Sequence, residues 1–429
     1  MTRTLAPLLL VTALAACATS PNPAPGTDVG VNQGQARIAT LASVRPGVEV
    51  FIATPPAFVQ GKRLGLITNH SGMDRQRRAT IDLLAALPGS KVVALFAPEH
   101  GIRGVAEARV ESTVDEKTGI PIYSLYGDTR KPTPEMMKDV DVLVFDIQDI
   151  GVRQYTYEST MVHGMQAAAE KGIPFVVLDR PNPITGTIIE GNILEPEFQT
   201  FIGIYPVASR HGMTVGELAR MYNDQQKIGA NLTVIPVEGW RRDMWWDDYD
   251  LPWVNPSPNM RSLEAEMHYP GTVFFETVNV SEGRGTDRPF EQIGAPWMNN
   301  QEVVSRMNAM KLPGVRFEAL DIPVAPGGRK FPGETLKGVR LHVTDRNSYR
   351  PIRASLLLID MIRKLHPTQF EWRGANTRDS TISYTIYRHA GTRRLKEAID
   401  NGTLPQLLDE WDRDAERFRS IRAPYLLYQ

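Results

Sequence analysis

A chain of 429 residues, 42% hydrophobic and 23% charged, is long enough to bury two cores and has the composition of an ordinary soluble globular protein. A formal net charge of −1, with no long basic run, supplies no broad field to hold nucleic acid, so no nucleic-acid partner is expected. The single cysteine excludes an internal disulfide.

Residues 1–16, MTRTLAPLLLVTALAA, carry one early charge at Arg3 and an apolar stretch too short to span a bilayer as a mature helix. They read as a secretory signal peptide. The end of this stretch, Leu14-Ala15-Ala16-Cys17, resembles the lipobox of bacterial lipoproteins, where cleavage falls before the cysteine and the cysteine takes the lipid. Cys17 is therefore the expected lipidation site, and the lipid the expected membrane anchor. Residues 17–40, rich in Pro, Gly, Asn and Ala, are expected to form a flexible tether, because they cannot bury enough apolar surface to order themselves.

From residue 62 a pattern recurs. RLGLITNHSG, KVVALFAPEHG, DVDVLVFDIQDIG and IPFVVLDRPNP are apolar strands, and DRQRRATIDLLAAL, TPEMMKDV and ESTMVHGMQAAAEKG have the spacing or caps of helices between them. Fully apolar strands alternating with helices predict a parallel sheet covered on both faces. Residues 41–230 are thus expected to form a Rossmann-like, doubly wound α/β catalytic domain. HGMTVGELARMYNDQQ opens a helix with a capping box, Thr214 to Glu217. Beyond it, NLTVIPVEGW, GVRFEALDIPV and LKGVRLHVTD read as strands among helices, predicting a smaller α+β domain over 231–429 that completes a cleft.

In open α/β sheets ligands bind beyond the carboxyl ends of the strands. Here those ends carry Asn69 and His70, then Glu99 and His100, then Asp146 and Asp149, then Asp179 and Arg180. Acids in such places also serve as helix caps and turn formers. Glutamate is a poor cap, however, and Glu99 sits between Pro98 and Gly101, which suggests a fixed turn. No G-x-G-x-x-G follows the first strand and no P-loop motif is present, so no nucleotide cofactor is expected.

The segment GWRRDMWWDDYDLPWVNPSPNM gathers Trp240, Trp245, Trp246 and Trp253, whose faces would suit sugar rings unless they are core. At least two of the four are expected to be core. Further on, Glu276, Glu282, Arg284, Asp287, Arg288 and Glu291 surround a glycine turn, Gly283 to Gly285. Glycine permits close backbone approach to a ligand, and arginine matches a carboxylate with a planar fork.

Taken together, NHSG, FAPEHGIRG, FDIQDIGVRQYTY, DRPNP, NPSPNM, YPGTVFFETVNVSEGRGTDRPFEQIGAPW and APGGRKFPGE resemble the NamZ-type exo-β-N-acetylmuramidases over nearly everything after the tether. The resemblance implies a Rossmann-like domain plus a smaller C-terminal domain, with the active site in the cleft between them. It implies release of β-1,4-linked N-acetylmuramic acid from the non-reducing end of peptidoglycan-derived disaccharides or glycan chains. The family's catalytic glutamate lies in P-E-H-G, here Glu99.

Glycoside cleavage usually takes two carboxyl groups. With Glu99 as general acid, Asp146, Asp149 and Glu282 are the candidates for the second, and the substrate's own acetamido group is a third route. Arg284 and Arg153, with Arg103 behind them, are candidates for the cation that meets the lactyl carboxylate of muramic acid. Asn69, His70, His100, Tyr155, Asn259 and Thr286 are further candidate substrate contacts. The competing readings are a metal-dependent amidase or deacetylase, for which no H-E-x-x-H or comparable spacing exists, and a lipoprotein that only binds wall fragments. A protein of the cell envelope, lipid-anchored to a bacterial membrane and facing the periplasm or exterior, is expected.

Overall fold

The computed structural model describes residues 41–103, 112–127, 129–374 and 383–429. The signal peptide, Cys17 and the tether lie outside the described residues. Among the described residues no helix is long and apolar enough to cross a membrane.

The first lobe is built on β1 (Arg63–Thr68), β2 (Lys91–Ala97), β3 (Thr113–Val114), β4 (Pro121–Ser124), β5 (Val142–Asp146) and β6 (Pro174–Leu178). β7 (Glu190–Ile193) and β8 (Ala208–Arg210) form a separate hairpin-like pair, and β9 (Asn231–Ile235) returns to the main sheet. The sheet order is β3-β4-β2-β1-β5-β6-β9. All its pairings are parallel except β3 with β4. Every residue of β5 is buried, as a strand covered on both faces requires. The strand Asn231–Ile235, expected in the second domain, instead pairs with β6 along its whole length. Its short apolar run carries no mark of which sheet it joins.

Helices α1 (Gly47–Ala53), α2 (Thr80–Ala85), α3 (Tyr157–Lys171) and α4 (Val215–Gln225) cover this sheet. α3 stops at Gly172, whose φ of 72° is the left-handed conformation that glycine adopts freely. α4 begins with the expected capping box: the Thr214 side chain accepts from the Glu217 amide, and the Glu217 carboxylate accepts from the Thr214 amide. TPEMMKDV forms turns rather than the expected helix. α2 is shorter than its periodicity suggests, because Asp74 accepts from the Gln76 and Arg78 amides and holds the preceding stretch as a turn.

The second lobe holds a three-stranded antiparallel sheet, β10 (Gln292–Ala295), β11 (Val315–Pro323) and β12 (Thr335–Val343), in the order β10-β12-β11. Around it lie α5 (Leu263–Thr272), α6 (Asn300–Ala309), α7 (Pro351–Leu365), α8 (Thr385–Ala390), α9 (Arg394–Asp400) and α10 (Leu404–Arg422). The lobes share one hydrophobic core, running from Ile67 and Phe145 through Met161 to Leu356 and Phe418. Beyond α10 the chain returns to the first lobe. The Tyr428 hydroxyl donates to Asp179 at 2.6 Å, the Leu427 amide to Glu217 at 2.8 Å, and the Arg242 amide to the Gln429 carbonyl at 2.8 Å.

Candidate active site

β2, β1, β5 and β6 lie side by side in parallel, so the polar residues at their ends share one rim. Beyond that rim, between the lobes, is a cavity of 360 Å³. The first lobe contributes Glu99, His100 and residues 154–157, and the facing wall carries Asn259, Arg261, Tyr269, Arg284, Phe290 and Arg329.

Glu99 reaches this cavity on a tight turn. The Gly101 amide donates to the Pro98 carbonyl at 3.2 Å, and His100 and Gly101 both have positive φ, 71° and 72°. A histidine in that region costs on the order of 1 kcal/mol and persists only where its surroundings hold it. The glutamate side chain receives two hydroxyls, Tyr126 on Oε1 at 2.8 Å and Thr156 on Oε2 at 3.1 Å. Burial and the adjacent Glu99 carboxyl push the Tyr126 phenol up to about 12, so it remains a neutral donor across physiological pH. Among the described residues no cation forms an ion pair with Glu99. Neutral hydroxyls can accept as well as donate. The carboxyl is therefore held by neutral groups that can serve it as donors or acceptors.

An aromatic wall stands beside it. Tyr155 and Tyr157 meet edge to face at 4.9 Å, Tyr155 and Tyr269 at 5.8 Å, and Tyr269 and Phe290 at 4.9 Å. This wall takes the place expected of the tryptophans. Trp240 and Trp245 are buried core, and none of the four lines the cavity.

Four expected site residues, His100, Tyr155, Asn259 and Arg284, line the cavity with Glu99. The others do not. Asp146 is fully buried, with Arg180 Nε 2.5 Å from Oδ1 and Nη2 2.9 Å from Oδ2, and the Thr80 hydroxyl on the same carboxylate. It is an ion-pair strut, not a second catalytic acid. Asp149 accepts from the Gly151 amide at 2.7 Å; burial and the charge of Glu158 push its carboxyl well above the usual range. Glu282 is also buried. It is opposed by desolvation, yet Lys330 at 2.9 Å and Arg284 at 3.0 Å hold its carboxyl below the usual range, so it carries no proton to give.

Arg153 is no substrate cation: its guanidinium is enclosed and donates to the carbonyls of Asn192, Val207 and Ala390 at 2.7–2.9 Å. Arg103 pairs with Asp115 at 3.0 Å. The Thr286 hydroxyl closes its own turn onto the Gly283 carbonyl at 2.6 Å, away from the cavity lining. Asn69 holds the Ser71 hydroxyl at 2.6 Å, and His70 is tied to the Asn255 carbonyl at 2.7 Å, so both support the rim from behind. Asp179 accepts from Thr214, Gly216 and Tyr428, and burial pushes it up to about 6. Arg284 faces the cavity but is already paired with Glu276 at 2.5 Å and Glu282 at 3.0 Å.

Among the described residues, Asp149, Glu158 and His211 have metal-ligand spacing, with candidate ligand atoms within 4.8 Å of one another. His211 Nδ1 accepts from the Met213 amide at 3.1 Å, Nε2 lies 2.9 Å from a Glu158 carboxylate oxygen, and none of the three residues lines the cavity. Sequence reasoning missed Tyr126, Thr156, Tyr157, Tyr269, Phe290, Arg261 and Arg329. Thr156 and Tyr157 lie inside the quoted FDIQDIGVRQYTY, where the alternation of aromatic and hydroxyl groups after a strand end is a usable signal. Tyr126 carries none.

A carboxyl held by neutral donors, beside an aromatic wall and a row of guanidinium groups, is the equipment of a glycosidase that works on a charged sugar. Comparison with known proteins agrees. The models of the exo-β-N-acetylmuramidase NamZ N-terminal and C-terminal domains match residues 64–264 and 267–428. The chain is 44% identical over 393 residues to the peptidoglycan β-N-acetylmuramidase NamZ of Bacillus subtilis, covering 91% of this chain and 92% of that one. Crystal structures of two DUF1343 family proteins of Bacteroides fragilis superpose with TM-scores of 0.82 and 0.70 at 36% and 32% identity, each covering 90% of this chain and 99% of the other. The chain belongs to the NamZ exo-β-N-acetylmuramidase family and is a glycosidase.

Proposed function

We propose that this enzyme releases N-acetylmuramic acid from the non-reducing end of peptidoglycan fragments, with Glu99 protonating the departing glycosidic oxygen. The observation that carries this reading is the position of Glu99: a carboxyl on the cavity, held by Tyr126 and Thr156 hydroxyls. The cavity volume of 360 Å³ supports the exo mode, since it is near the lower end of the roughly 300–1,000 Å³ typical of small-molecule sites. That is room for one terminal sugar.

Among the described residues Glu99 is the carboxyl lining the cavity. This supports a route in which the substrate's 2-acetamido oxygen attacks C1. The C1–O bond breaks as Glu99 gives its proton to the leaving oxygen. Water then attacks C1 while Glu99 takes its proton; the bond from C1 to the acetamido oxygen breaks and the acetamido group is restored, so the released sugar keeps the β configuration. Glu99→Gln is expected to slow release of the aryl group from an aryl muramide by roughly 10²–10⁴-fold. Full turnover by that variant sinks the reading, as does initial release of the α anomer for the acetamido route.

The lipobox supports a lipid on Cys17 and residence in the cell envelope. Incorporation of labelled palmitate, lost in Cys17→Ala, is the expected result; an unlabelled, freely soluble product overturns it.

A further inference from the structure

Three guanidinium groups line the cavity, and they differ in what balances them. Arg284 is matched by Glu276 and Glu282. Among the described residues Arg261 is steered by carbonyls alone: Nε donates to Pro258 at 3.0 Å and Nη1 approaches Thr286 at 3.5 Å. Carbonyls orient a guanidinium without neutralising it. Arg329 forms no ion pair among the described residues, although its backbone is firmly held. The Ala325 amide donates to the Gly285 carbonyl at 2.8 Å, and Gly285, at φ 85°, lies so close that a Cβ there would sit 2.7 Å from Gly328 Cα. On its other side, Lys330 donates to the carbonyls of Phe275 and Val280 and to Glu282 at 2.7–2.9 Å. Two cations with no balancing carboxylate among the described residues, Arg261 oriented by carbonyls and Arg329 carried on a held backbone, therefore share a cavity with Glu99, which has to be neutral to act as an acid.

We propose that Arg261 and Arg329 bind the 3-O-lactyl carboxylate of the terminal sugar and set the preference for muramic acid over glucosamine. The inference rests on the reading of the cavity as the muramide site, and it transfers the cation role from Arg284 and Arg153 to side chains with charge to offer. Both arginines are exposed at the mouth of the cavity, where an arriving carboxylate exchanges water for two planar forks.

The test compares N-acetylmuramic acid with its lactyl methyl ester, by calorimetric binding and as kcat/KM on the corresponding aryl glycosides. In the native enzyme the acid is expected to be favoured roughly 10- to 100-fold, as charge-assisted hydrogen bonds allow. In Arg261→Gln/Arg329→Gln that ratio collapses toward one, and the double lysine variant recovers part of it. An unchanged ratio in the folded double variant overturns the proposal, as does a native enzyme indifferent to the ester. Arg329→Gln alone, at an exposed side chain, provides the comparison if the double variant does not fold. Glu99→Gln separates the two readings: it slows turnover while keeping the acid-over-ester binding ratio. A native protein that binds the acid selectively but cleaves no muramide leaves this proposal standing and removes the catalytic one.

Discussion

Glu99 and Asp146 stand at the ends of β2 and β5, the two strands that flank β1, and each follows an apolar run. One receives two hydroxyls at 2.8 and 3.1 Å and borders a cavity. The other is fully buried and gripped by the Arg180 fork. The same local pattern thus produces a carboxyl on the cavity in one strand and a strut in the next. What separates them is the group opposite: a guanidinium commits a carboxylate to its charge, and a hydroxyl does not.

The sharpest way to break this comparison is to neutralise each carboxyl in turn. Glu99→Gln is expected to lower kcat on an aryl muramide by roughly 10²–10⁴-fold, the range of general acid catalysis, with little change in the urea midpoint. Asp146→Asn should do the reverse. It strands the buried Arg180 charge and is expected to cost about 3–5 kcal/mol of unfolding free energy, while the molecules that remain folded keep their turnover. A stable but inactive Asp146 variant would end the distinction.

A third carboxyl sharpens it. Glu190 is buried with its Oε1 accepting from the Arg353 amide at 2.9 Å and, among the described residues, no paired guanidinium; burial pushes it up to about 7. Its folded state holds the proton more tightly than the unfolded chain does. Its favourable contribution is therefore whole below about pH 4.5 and is lost as pH rises through 7. Glu190→Gln, neutral throughout, is expected to gain roughly 3 kcal/mol relative to the parent between pH 4.5 and 8, read from urea midpoints at each pH. A constant difference would show that burial without a cation does not govern this group.

The smallest expected effects come from the donors themselves. Tyr126→Phe and Thr156→Ala each remove one neutral hydrogen bond from Glu99, worth about 0.5–1.5 kcal/mol. Each should lower kcat by roughly two- to tenfold, with KM nearly constant. Unchanged kcat in both would mean that the hydroxyls do not position the acid.

Much of this was legible in the chain. The strands ending at Thr68, Ala97, Asp146 and Leu178 announce themselves by continuous apolar runs, and Glu99 by its Pro–Gly frame. The identities of the partners were not legible. Arg180 meets Asp146 across 34 positions, and Arg153 finds carbonyls as far away as Ala390. Arginine at a promising motif position reads the same whether it ends in a cavity, as Arg284 does, or enclosed among carbonyls. Spacing encodes which face of an element a residue occupies; it does not encode what another element brings to that face. Tyr126 escaped notice for the same reason, as did the membership of Asn231–Ile235 in the first sheet.

The return of residues 427–429 to the first lobe has a consequence for how the molecule can be divided. The two family models part near residue 265, yet a chain severed there would be two unfinished halves. The piece before the cut would lose the phenol on Asp179, the amide on Glu217 and the carbonyl that accepts from Arg242, all supplied by the last three positions. Evolutionary bookmarks and mechanical seams do not coincide here: the polypeptide is stitched shut from its far end.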